Sequence, residues 1–126
     1  MIRPELNISH RKVFTPSTEH NAAAIGNPGI EVTATTALIL FIEEVSGALL
    51  QPYLEEGEGS VGVRVEVDHI APAFAGKPVS VTARIDRIHK QRIMLSAQVS
   101  QQGTVVMKGF HHRVVVATER FSGADP

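Results

Sequence analysis

Three kinds of side chain in this sequence can move a proton or attack an electrophile. They are the threonines Thr33, Thr35 and Thr36, the adjacent carboxylates Glu43 and Glu44, and His69. The threonines stand just ahead of "ALILFIEEVSGALL", which carries both carboxylates, so one helix would hold the first two groups. A threonine at a helix start caps the first free N–H groups. Adjacent helical residues point about 100° apart. Glu43 and Glu44 therefore cannot share one environment: one reaches water while the other lies against a sheet or a second chain. A carboxylate in the second position needs hydrogen-bond partners. His69 ends "VGVRVEVDH", in which Val61, Val63, Val65 and Val67 alternate with polar or small residues. An imidazole on that apolar face either satisfies a backbone carbonyl at the strand end or faces the helix as a working group.

The other histidines offer less. His10, His20 and His89 fall in terminal, loop or turn positions and read as solvated. His111 and His112 are adjacent on a strand, point to opposite faces and cannot both bind one ion. Nothing in the spacing supports a metal site. Arg113 follows them, with a surface charge as its plain reading. Gly76, in "AFAGKP", suits a turn or a close backbone approach to a bound group.

Composition narrows the classes. The chain has 126 residues, 43% of them hydrophobic, which suits one domain spanning 1–126, with 1–11 and 122–126 expected to fray. Twelve basic against thirteen acidic residues leave a net charge of −1, which argues against nucleic acid or an anionic membrane as partner. No apolar run approaches the ~20 residues of a membrane span, and no secretory leader is recognisable, so a cytoplasmic location is expected. With no cysteine there is no disulfide, thiolate ligand or thiol nucleophile.

The elements that must position these groups follow from periodicity. "KVFTPS" (12–17) reads as a short edge strand broken by Pro16, and 19–31 as a loop with one helical turn. The stretch 33–54 is the one convincing helix, capped by Thr33 or Thr35 and stopped at Pro52. Strands are predicted at 60–70, 78–88, 92–100 and 104–117, joined by tight turns at "HKQ" and "QQG". The helix is apolar on every side between Ala37 and Ile42, so it should be wrapped by the sheet and covered by a second chain. This is an α+β arrangement of the hotdog type, an antiparallel sheet around a central helix, working as a homodimer.

The segments "PYLEEGEGSVG", "VDHIAPAFAGKPVSVTARI" and "GFHHRVVVATERF" resemble the fluoroacetyl-CoA thioesterase-like branch of the hotdog thioesterases, over roughly 33–121. The resemblance implies an acyl-CoA substrate, hydrolysis of the thioester and no cofactor. It places the catalytic residues at Thr35, Glu43 and His69 and a substrate contact at Arg113; with a thioester as substrate, the bound group that Gly76 could approach is its acyl group, and a turn explains that glycine equally well. One departure stands out: no aromatic residue lies between Phe14 and Phe41, where the fluorine-selective member closes its acyl pocket with aromatic rings. Fluoroacetyl selectivity is therefore not expected. Two other classes share the fold, a non-catalytic acyl-CoA-binding dimer and an enoyl-CoA hydratase. The carboxylate on the helix argues against the first, and the absence of a helical His–Asp arrangement against the second.

Overall fold

The computed structural model describes residues 1–123. Five strands and one long helix make up the chain: β1 (Ser9–Phe14), α1 (Thr35–Leu50), β2 (Glu58–His69), β3 (Val79–His89), β4 (Arg92–Gln101) and β5 (Thr104–Ala117). The strands form one antiparallel sheet in the order β1-β3-β4-β5-β2. Strict alternation in β3 and β4 turns Val81, Ala83, Ile85, Ile93, Leu95 and Val99 toward α1, where Leu38, Ile42, Val45 and Leu50 meet them. Each such side chain contributes roughly 1.5–3 kcal/mol by leaving water. The two hairpin turns fall where expected. Gln102 and Gly103 both adopt positive φ (50° and 80°), the left-handed pair that a tight hairpin between twisted strands requires.

Several expectations need correction. The α1 cap is neither Thr33 nor Thr35 but Ala34, which offers no side-chain acceptor. The loop before the helix holds two short 3₁₀ turns, at 18–20 and 22–25. Residues 1–11 are tied down: the Met1 amine binds Glu55 and Glu58 at 2.8 and 2.7 Å, Ile2 N–H donates to the Tyr53 carbonyl, and β1 pairs with β3 from Ser9. Of the expected C-terminal fray, 124–126 lie outside the described residues. His20 is no solvated residue either. Its Nδ1 accepts the Ser17 N–H at 2.9 Å, and its ring meets the edge of Phe41.

The valine face of β2 is broken. A bulge between Gly62 and Arg64 inserts one residue into the pairing with β5 and shifts the alternation. β2 is also the sheet's outer strand, so Val63 and Val65 stay 47% and 43% exposed while Val67 packs on the core. Nor is α1 covered on all sides within one chain: Thr36, Leu40, Glu43, Glu44 and Ala48 line an open face.

Candidate active site

Because Ala34 cannot cap α1, the Thr35 and Thr36 N–H groups begin the helix without an intrahelical acceptor. That end carries the positive pole of the helix. Thr35, the first helical residue, directs its hydroxyl elsewhere: Oγ1 lies 2.7 Å from His69 Nδ1. His69 reaches it from the end of β2, where the strand passes the helix start. The far ring nitrogen, Nε2, is buried and has no hydrogen-bond partner among the described residues. The loop after His69 is held in place as well. Thr33 N–H donates to the Ala73 carbonyl at 2.8 Å, and the buried Gln101 amide makes three hydrogen bonds to the backbone of Phe74 and Lys77.

Glu43 stands eight residues further along α1, about 12 Å at 1.5 Å per residue. Its carboxylate faces Gly62 on β2 and His111 on β5, with Oε1 3.4 Å from His111 Nε2. A Cβ at Gly62 would overlap Glu43 Oε1 and come within 2.9 Å of His111 Nε2, so only glycine leaves this space open. Arg113, one β-period beyond His111, is buried below. Its Nε and Nη2 donate to the Ser60 hydroxyl and carbonyl at 3.0 and 2.8 Å. Burial pushes His111 below the ordinary imidazole value; the Arg113 charge adds to this and Glu43 opposes it. Burial likewise lowers Arg113 from its ordinary value, with Glu43 opposing.

The structure therefore brings Thr35 and His69 together at the start of α1 and sets Glu43, two turns further along the helix, in a second cluster with Arg113 of β5. Glu44 goes the other way, toward Lys12 on β1 at 4.0 Å. Gly76 touches neither cluster by any recorded bond. It sits in a turn at φ 85°, its N–H bonded to the Pro16 carbonyl, and turn geometry accounts for it. Two residues of the second cluster, Gly62 and His111, escaped the sequence reading. The signals were there: a glycine inside a strand marks a bulge or a close approach. The β-period also puts His111, Arg113 and Val115 on one face.

A groove of 620 Å³ opens on the sheet face turned away from α1, lined among others by Asp68, Arg84, Lys108 and Phe110. None of the groups above lines it. Among the described residues, no three of His, Cys, Asp and Glu stand close enough to hold a metal ion. Nor is any helix there long and apolar enough to cross a membrane.

Residues 17–119 match the family model FlK, fluoroacetyl-CoA-specific thioesterase. A fluoroacetyl-CoA thioesterase of Streptantibioticus cattleyicolor is 32% identical over 92 residues, which is 73% of this chain and 66% of that relative's length. The crystal structure of a single-substitution variant of the fluoroacetyl-CoA-specific thioesterase FlK, with fluoroacetate and CoA, superposes with a TM-score of 0.88. The two are 25% identical, and the match covers 94% of this chain and 99% of that one. A hot-dog-like protein from Thermanaerovibrio acidaminovorans is 30% identical with a TM-score of 0.85, over 93% and 87% of the two chains. The chain belongs to the fluoroacetyl-CoA-specific thioesterase family and has its hotdog fold, that of acyl-CoA thioester hydrolases.

Proposed function

We propose that the protein hydrolyses a small acyl-CoA thioester to the free acid and coenzyme A, with Thr35, Glu43 and His69 as the reacting set. The observation that carries this is the uncapped helix start beside the Thr35–His69 pair. The free N–H groups of Thr35 and Thr36 offer donors to an oxyanion, and the helix dipole favours charge there. The leaving group asks little, since a thiol has a pKa near ~8.5 and departs as thiolate. Glu43 delivers the nucleophile by one of two routes. In one, its own oxygen adds to the carbonyl and expels thiolate, leaving an anhydride that water then opens. In the other, it takes a proton from water, the hydroxide adds, and the tetrahedral intermediate collapses to acid and thiolate. Single turnover in ¹⁸O-water tests for the anhydride: when water opens it at the Glu43 carbonyl, the bridging enzyme oxygen leaves in the first molecule of product. Opening at the acyl carbonyl puts ¹⁸O there, as the general-base route does, and trapping of an acyl-enzyme by hydroxylamine separates these two.

About 12 Å of helix separates Glu43 from Thr35, so one chain cannot hold both against one carbonyl. We infer a homodimer in which Glu43 of one copy meets Thr35 and His69 of the other. Three features support it. β2 is a twelve-residue outer strand with an unpaired edge. Val63, Val65 and Leu40 are exposed apolar side chains on or beside that edge and the open helix face. His69 Nε2 is buried yet unpartnered, as an atom awaiting a second group would be. The reading places the protein in the cytoplasm and gives it no nucleic-acid or membrane partner.

Mixing two inactive variants tests the arrangement. Glu43→Gln and His69→Ala chains, unfolded and refolded together, should regain about a quarter of wild-type activity, because half the dimers carry one intact shared site. No recovery, with heterodimers demonstrated, would mean that each site is built within one chain. Free thiol release from a panel of acyl-CoAs tests the activity itself. Without aromatic residues ahead of the helix, fluoroacetyl-CoA should hold no large advantage over acetyl-CoA or propionyl-CoA.

A further inference from the structure

The imidazole of His111 is 1% exposed, and among the described residues neither ring nitrogen has a hydrogen-bond partner. Buried polar atoms are nearly always paired, so an unpaired ring in a core demands an explanation. Nε2 looks at Glu43 Oε1 from 3.4 Å, too far for a good hydrogen bond but within one side-chain adjustment of it. Its polar neighbours on β5 are already committed or turned away. Arg113, next on the same face of β5, is fixed to Ser60 of β2. His112 points to the opposite face, where Arg92 lies 3.1 Å from its Nδ1. Gly62 of β2 keeps the gap between ring and carboxylate clear of any side chain.

We propose that His111 is a positioning residue for Glu43: as a neutral ring it donates its Nε2 proton to Oε1, which fixes the carboxylate and leaves Oε2 to serve the reaction. This rests on Glu43 being the catalytic carboxylate. A glutamate has three rotatable bonds, and half of this one is open to solvent, so without a fixed donor it samples several rotamers. Burial and the fixed Arg113 charge keep the ring neutral, so it acts as a donor and not as a counter-charge that would trap the carboxylate in an ion pair. An ordinary core role for His111 makes the opposite forecast. An apolar replacement of similar volume would then be neutral or mildly stabilising and would leave turnover alone.

The experiment compares His111→Leu, which removes the donor, with His111→Gln, whose amide nitrogen reaches nearly as far as Nε2. His111→Leu should lower kcat about tenfold with KM changed by less than about twofold. It should also move the acid limb of kcat/KM upward by about one pH unit, because a charge-assisted donor has been lost. His111→Gln should restore most of both. If His111→Leu does not fold, His111→Asn takes its place, since its shorter amide cannot reach Glu43. Wild-type kcat and an unmoved acid limb in a folded His111→Leu or His111→Asn protein would overturn the positioning role. A Glu43→Gln control keeps the two readings apart. Turnover retained there sinks the assignment of Glu43 and this proposal with it. Turnover lost there but unchanged in His111→Leu sinks the positioning role alone.

Discussion

The two ends of the open helix face are built by different means. At the N-terminus, two residues suffice: Thr35 is held by the helix start, His69 by a strand end, and one 2.7 Å contact joins them. Two turns on, Glu43 depends on a bulge and a glycine in β2, a buried histidine and arginine in β5, and a serine that anchors the arginine. The first pair joins a helix start to a strand end 34 residues away and lies partly open to solvent. The second is a layered assembly in which the buried His111 and Arg113 lie beneath a half-exposed carboxylate. Binding and oxyanion stabilisation need a fixed dipole, which a helix end supplies without help. Aiming a flexible carboxylate requires surroundings, and those come from elsewhere in the chain.

Removing the carboxylate should do the most damage. Glu43→Gln keeps the shape but loses base and nucleophile, and kcat should fall by roughly a thousandfold or more. Glu44→Gln, beside an exposed Lys12, should change kcat by less than about twofold. The measurement is steady-state kinetics on the best acyl-CoA of the panel. A reversed pair of results would place the working carboxylate on the β1 side of the helix.

At the other end, His69→Ala should lower kcat about a hundredfold with little change in melting temperature, since the ring has its Thr35 partner at the surface and not in the core. Thr35→Val, which leaves the ring in place but unpartnered, should cost about tenfold. If both variants instead lose activity in step with melting temperature, the pair is a structural clasp between β2 and α1.

Gly62→Ala sharpens the contrast. The added Cβ runs into Glu43 Oε1, the far end of a flexible, half-exposed side chain that can swing into water, and it also comes 2.9 Å from Nε2 of the buried His111 ring, which has to give by a few tenths of an ångström. The protein should therefore stay folded, with its melting temperature within a few degrees, while kcat falls about tenfold as the carboxylate leaves its place. Gly109→Ala is the opposite case, because its Cβ would meet the backbone of Glu66 and Val67, which cannot swing aside. That variant should fail in thermal denaturation before any kinetic effect can be assigned.

The sequence announces the parts that depend on local period. Alternation and the glycine turn at Gly103 placed β2 to β5 within two residues of their observed ends, whereas α1 stops at Leu50, four residues before its expected end, and β1 begins and ends three residues earlier than expected. His69 stands out because an imidazole ends an apolar alternation, and the Glu43–Glu44 pair because it interrupts an apolar helix, whereas the choice of Glu43 and of Arg113 rests on the resemblance to the thioesterase family. What stayed hidden depends on distant chain segments. The bulge at Val63 shifts the β2 alternation, leaving Val63 and Val65 exposed on the outer strand while Val67 packs on the core, and no propensity rule marks which residue of "VGVRV" is the extra one. His111 looked interchangeable with His112 until the register of β5 against β2 put one ring beneath Glu43 and the other beside Arg92. The N-terminal residues looked free to fray because the carboxylates that hold the Met1 amine lie more than fifty positions away.

The smallest expected effect is on stability, and it belongs to the deeper cluster alone. His111 titrates below its ordinary value in the folded chain, first because it is buried and then because Arg113 is near. In the unfolded chain it titrates near ~6.5. Between those two values the unfolded chain holds more protons, so stability must rise with pH there. The contribution of a neutral His111 is thus complete above about pH 6.5 and drains away as acid protonates the ring. One group can tilt the curve by at most about 1.4 kcal/mol per pH unit. Denaturant melts from about pH 7.5 to 5 should show wild type losing stability toward acid more steeply than His111→Gln, which has no proton to gain. His112 is also held below its ordinary value, chiefly by burial, and it remains in both proteins, so it cancels from the comparison. Parallel curves for wild type and His111→Gln would mean that the ring takes up its proton in the folded protein as readily as in the unfolded chain, and the second cluster would then be open to water after all.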